Sequence, residues 1–124
     1  MSQDESPYVI HMQPQFDPLE IVDVPPIVET TTDEWFNQTL YQVNDSLVRL
    51  GVVHGQTHWH AHETDDEFFY VIAGELHIEL AESTLRLHPQ QGVTIPKGVQ
   101  HRPIAPQRTV MLMIESTGIT PTGG

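Results

Sequence analysis

From Trp35 onward the chain runs in short segments rich in Val, Ile, Leu and aromatic residues, broken by turn residues at roughly ten-residue spacing. That rhythm predicts an all-β sandwich or barrel. LYQVNDSLVRLGVV at 40 to 53 reads as two strands around Asn44-Asp45, a pair that tolerates the positive φ of a tight hairpin. THWHAH at 57 to 62 alternates, FFYVIAGELHIEL at 68 to 80 is two strands broken at Ala73-Gly74, and STLRLH at 83 to 88 alternates again. GVTIPKG at 92 to 98 is a strand ending in a turn, and TVMLMIES at 109 to 116 is the last strand. No stretch of twelve residues holds a helical period with caps, so helix content should be low. Between 75 and 80, Leu76, Ile78 and Leu80 share one face and Glu75, His77 and Glu79 the other, which puts His77 toward solvent.

Residues 1 to 34 break the rhythm. They hold five of the ten prolines and no sustained period of 2 or 3.6, and read as an extended arm. Two pieces in it, YVI at 8 to 10 and IVDVPPIV at 21 to 28, are β-friendly and suit a sheet edge of this chain or of a partner. The other reading is a solvated acidic tail. The expected organisation is an arm at 1–34, one domain at 35–117 and a plain tail at 118–124.

Composition then narrows the chemistry. With no cysteine, disulfides, thiolate metal sites and cysteine nucleophiles are excluded, and any metal must sit on nitrogen and oxygen. The net charge of -12 repels phosphate backbones, which argues against nucleic acid as a partner. Eight of the 17 acids precede Trp35, where there is no Lys or Arg, so the acidity belongs largely to the arm. The start MSQDESPYVIH has neither the basic residues nor the apolar run of an export signal, and no unbroken apolar stretch exceeds the six residues of FFYVIA at 68 to 73, with VMLMI at 110 to 114 next. A soluble cytoplasmic protein without membrane contact is expected.

Four of the eight histidines fall within nine residues, at 54, 58, 60 and 62. On a strand His58, His60 and His62 would share a face, and imidazoles at this density suit a first-row divalent metal such as Fe, Mn, Zn or Ni. Glu67 opens the most apolar strand of the chain, where a carboxylate is costly to bury unless a cation or hydrogen bonds receive it. His54 and His11 have no such spacing, and His88 precedes Pro89 at a strand end.

The string HAHETDDEFFYVIAG, residues 60 to 74, resembles the first motif of the cupins, H-x-H, three or four residues, Glu, six residues, Gly. PKGVQH, residues 96 to 101, resembles the core of their second motif. The likeness covers roughly residues 36 to 116 and looks closest to the small single-domain cupins often labelled mannose-6-phosphate-isomerase-like. It implies a double-stranded β-helix barrel, jelly-roll-like, with one divalent metal held by His60, His62, Glu67 and His101. His58 and Phe69 are candidates for lining the substrate pocket or supporting a ligand. A register using His58 and His60 as the H-x-H pair is the alternative, with six residues before Glu67. The sequence departs from the pattern where glycines are usual: His54, beside Gly55, and Gln90, two residues before Gly92. Ala105 stands where an asparagine is common.

Three imidazoles and one carboxylate leave a divalent ion with a formal +1 and two adjacent open positions if Glu67 binds through one oxygen. Such a site can take a small oxygen-rich molecule through two oxygens, for isomerisation or dioxygenation. The rivals are a binding or sensing cupin without turnover and a cupin with a purely structural metal, and fold alone does not choose among them. A homodimer is expected, because small cupins commonly pair through their sheets and the arm could cover an apolar outer face.

Overall fold

The computed structural model describes residues 8–118. The chain forms β1 (Tyr8–His11), α1 (Val24–Thr30), β2 (Trp35–Val43), β3 (Ser46–Gln56), β4 (Glu67–Ala73), β5 (Leu76–Glu79), β6 (Thr84–Leu87), β7 (Gly92–Ile95) and β8 (Arg102–Ser116). The sheet runs β1-β2-β3-β8-β4-β7, and β5 joins β8 while carrying β6. β8 is the spine. It pairs with β3 along most of its length, with β4 through Val110–Ile114 and with β5 through Arg102–Ile104. Two halves of the molecule are therefore hydrogen-bonded to opposite ends of one strand. The first seven residues, with Asp4 and Glu5, and most of the tail, 119–124, lie outside the described residues. Among the described residues no helix is long and apolar enough to cross a membrane.

Alternation places the core. Trp35, Val53, Phe69, Val71, Leu76, Ile78 and Met111 turn inward and pack together. Leu40, Leu50, Val52 and Val110 turn outward from the same strands and are covered by Phe16, Val22, Val24, Ile27 and Val28 of the arm. The outer apolar face is thus roofed by the chain's own N-terminal segment. On β5, Leu76 and Ile78 are fully buried while His77 is partly exposed and bonded to Glu75, as the alternation predicts. The Asn44-Asp45 hairpin forms with Val43 opposite Ser46 and Asn44 at φ 53.

The arm divides into two outcomes. YVI lies along the sheet edge, with β1 parallel to β2 and Tyr8 opposite Trp35. IVDVPPIV is not a strand: Val24–Thr30 is a short helix with Pro25 and Pro26 at its start. Proline has its φ preset near the helical value and lacks only an N–H that a first turn leaves unbonded anyway, so a Pro-Pro pair opens a helix as readily as it sits on a sheet edge. Packing of Ile27 and Val28 on the outer face then favours the helix. Arg108 holds its end, donating to the carbonyls of Val28 (2.9 Å) and Thr31 (2.8 Å).

Candidate metal centre

The histidine segment is not the regular strand its alternation suggests. Residues 57 to 66 are irregular apart from one isolated antiparallel bridge between His60 and His101. There the His60 N–H donates to the His101 carbonyl at 3.0 Å and the His101 N–H donates back at 2.9 Å. The Gly98 N–H donates to the His62 carbonyl at 2.7 Å, and the Lys97 N–H to Asp66 Oδ1 at 2.9 Å. The Pro96–Gly98 turn is thereby stitched to the loop that carries the histidines. Glu67 opens β4 opposite Ile95. Two loop segments and a strand start bring the four side chains to one place.

All four are buried: His60, His62, Glu67 and His101 are 8%, 4%, 3% and 1% exposed. His62 Nε2 lies 3.1 Å and His101 Nε2 3.6 Å from Glu67 Oε1. One ligand atom each of His60, Glu67 and His101 falls within 4.8 Å of the others. The rings are oriented from behind. His60 Nδ1 is 3.1 Å from the His58 carbonyl, and His101 Nδ1 is 2.9 Å from the Val99 carbonyl. A carbonyl only accepts, so each Nδ1 carries its proton and each neutral ring presents its Nε2 lone pair to the centre.

Burial and the neighbouring His101 push His60 down to about 4, which keeps it neutral near pH 7. Burial alone would raise Glu67, but a proton shared with it by the imidazoles of His101 and His62 would more than offset this and hold it well below the usual carboxylate range, the same pull that a cation among these atoms exerts. A carboxylate facing ring lone pairs is a set of acceptors short of a cation. His101 Nε2 shows this directly: it is buried without a hydrogen-bond partner. Metal–nitrogen bonds of about 2.1 Å set adjacent ligand atoms about 3 Å apart, near the 3.1 Å between His62 and Glu67. The buried group of His60, Glu67 and His101 has donors that could bind a metal ion, and His62 adjoins it through Glu67.

Residues 47–115 match the family described as Cupin domain. The chain belongs to the cupin family. It is 38% identical over 90 residues to the uncharacterized protein YdbB of Bacillus subtilis (strain 168), an alignment covering 72% of this chain and 80% of that one. A cupin-2 domain containing protein from Shewanella frigidimarina superposes with a TM-score of 0.74 at 28% identity, over 77% of this chain and 94% of that one. An uncharacterized conserved protein with a double-stranded β-helix domain from Klebsiella pneumoniae shares the fold at 20% identity and a TM-score of 0.66, over 80% and 90% of the two chains. The all-β, double-stranded β-helix fold expected from the sequence is the fold of this cupin.

Departures from the cupin motifs keep their backbone without the usual residue. Gln90 adopts φ 70 at the place of a glycine, and Gly55, at φ 106, sits where the β3–β8 pairing shifts register. Of the pocket candidates, Phe69 lines a cavity of about 30 Å³ beside His60 and Glu67. His58 does not join the buried group, since its side chain is exposed, but it supports a member of it: its ring lies edge-on to those of Tyr8 and His60, and its carbonyl orients His60. Residue parity on an assumed strand put it inward, and the irregular backbone there removes that parity.

Two interior residues escaped the sequence reading. Glu115 is 3% exposed, and burial together with the Glu67 carboxylate pushes it up to about 8 against the opposing pull of Arg49. Its parity with Met111 and Met113 on the last strand was the signal that it points inward. Arg49 is wholly buried in the barrel. It donates to the arm, with Nη1 3.1 Å from Met12 Sδ and Nη2 3.4 Å from the His11 carbonyl.

Proposed function

We propose that this cupin is a metal-dependent enzyme, of isomerase or dioxygenase type, that holds one divalent ion on His60, His62, Glu67 and His101 and binds a small substrate through two oxygens. The observation that carries the reading is the buried, unpartnered Nε2 of His101 aimed into a group that already contains Glu67. A bound ion of this kind polarises a substrate oxygen, or brings substrate and dioxygen side by side. The chain's residues supply the rest. The carbonyls of His58 and Val99 fix the rings of His60 and His101 so that the donors need no reorganisation. Glu115, buried with neither carboxyl oxygen hydrogen-bonded, keeps its proton near neutral pH and so adds no second negative charge beside Glu67. The small cavity next to His60 is walled mostly by apolar side chains. The sequence resemblance of residues 60 to 74 and 96 to 101 to mannose-6-phosphate-isomerase-like cupins favours the isomerase alternative, and four protein donors, which would leave a six-coordinate ion room for two more, favour the dioxygenase one.

Metal analysis of protein purified without added metal should find about one divalent ion per chain. His101→Ala should lower that occupancy far more than His77→Ala, and equal losses would sink the ligand assignment. Affinity should fall steeply below about pH 6, since each imidazole must be neutral to bind. Oxygen-uptake and sugar-isomerisation screens on the native metal form then separate the two reaction types. A two-oxygen chelating inhibitor that binds metal-loaded and metal-free protein equally would favour a pocket without metal chemistry.

A further inference from the structure

The cavity beside His60 and Glu67 is walled by Trp35, Phe69, Met111 and Met113 of the barrel and by Tyr8 and Ile10 of the arm. Apart from the two ligands, the polar side chains that Asn37 and Thr57 contribute are few for a molecule rich in hydroxyls. Asn37 is buried and its Oδ1 has no partner, so it can meet one donor on a ligand. The Tyr8 hydroxyl is turned away to the Gln56 carbonyl at 3.2 Å. A sugar-like body would strand most of its hydroxyls against rings and thioethers, each at a cost on the order of tenfold in affinity.

The space is only partly open and is also too small. About 30 Å³ holds a water or two, against the ~150 Å³ that takes a benzene-sized guest. One wall must therefore move, and β1 is the weakest. It has four residues, none buried, and ends the sheet with hydrogen bonds on its β2 side. Its far end is tethered by the soft contacts of Arg49 to Met12 Sδ and the His11 carbonyl.

We propose that the centre takes a small molecule whose oxygens are confined to a chelating end and whose remainder is apolar, and that β1, through Tyr8 and Ile10, is the wall that yields to admit it and then covers it. This rests on the metal-centre reading and narrows the oxygen-rich molecule expected from the sequence to one with an oxygen-bearing head. The test uses the full chain loaded with cobalt(II) and two hydroxyketones of equal size, 4-hydroxy-3-hexanone and erythrulose. Calorimetry gives the affinities and the cobalt visible spectrum reports access to the metal. The hexanone should bind at least about tenfold more tightly and shift the spectrum. Ile10→Ser, checked for unchanged melting, should erase most of that preference. Equal affinities, tighter erythrulose, or binding of neither would overturn the proposal, and an unchanged preference in Ile10→Ser would overturn the part given to β1. A hexanone preference of the same size in metal-free protein, with no spectral shift in the loaded form, would keep the apolar pocket and remove the metal-centre function.

Discussion

Replacing Glu115 with Gln should flatten the dependence of stability on pH in the metal-free protein. The carboxyl of Glu115 is displaced from its ordinary 4.5 to about 8 by burial and by Glu67. Between those values the folded chain keeps a proton that the unfolded chain has released, so the folded state binds more protons and stability falls as pH rises. The contribution is fully present below pH 4.5 and is lost by about pH 8. Integrating the linkage from pH 6.5 to 8 gives a loss of about 2 kcal/mol. His60 acts in the opposite sense and in another window. Its pKa is lowered from 6.5 to about 4, so its contribution grows as pH rises through that range and is nearly level above it. Gln has almost the same volume and titrates nowhere in the range. Urea unfolding of chelator-treated wild type and Glu115→Gln at pH 6.5, 7, 7.5 and 8 gives the two slopes. The wild type should lose about 2 kcal/mol more than the variant across the series. Parallel profiles would show that Glu115 ionises normally in the folded protein and would refute the inward, proton-bearing carboxyl.

Two further outcomes follow from the backbone and the surface. Gly74 stands at φ 90 where a Cβ would lie 2.5 Å from Thr109 Oγ1 and 2.7 Å from the Arg108 carbonyl, so Gly74→Ala should cost about 3 kcal/mol or more of strain and clash. Gly98, at φ 80 with no atom within 4 Å of its Cβ position, should lose only about 1 kcal/mol on the same change, and equal melting temperatures for the two variants would contradict the close approach at Thr109. For association, Leu19 and Ile21 of the arm are 102% and 89% exposed and Leu19 sits at φ 75. Light scattering should find a homodimer that Leu19→Ser with Ile21→Ser converts to monomer, whereas a monomeric wild type removes the dimer and an unchanged dimer removes the arm's part in it.

The strand pattern was readable because half-buried strands must alternate, and Leu76, Ile78, Met111 and Met113 face the core as their parity predicts. Convergence of His60, His62, Glu67 and His101 was carried by the resemblance, since spacing alone cannot say that His101 will bridge to His60 across 41 positions. Local pattern failed where tertiary packing decides. The Pro25-Pro26 pair is compatible with an edge strand or a helix start, and only the apolar face beneath Ile27 and Val28 selects between them. Arg49 was unreadable for a similar reason. A cation on an alternating strand is normally outward, and its burial depends on a carbonyl and a thioether delivered by the arm from 37 and 38 residues away.

The position of β8 in the chain sets the order in which the protein can come into being. It is the last strand made, yet β3, β4 and β5 all take hydrogen bonds from it. Until it leaves the ribosome, β3 can pair with β2 in a local hairpin, but β4 and β5 have no common edge on which to assemble. His101 lies immediately before β8 and is still later than the other three ligands. Closure therefore waits on long-range pairing, which is slow because distant segments must meet before any contact rewards them. During that wait the strand FFYVIA, with Glu67 at its head, is a short apolar edge without its neighbour. The buried carboxylate that completes the finished centre is, in the nascent chain, the charge that stands guard over the most aggregation-prone strand.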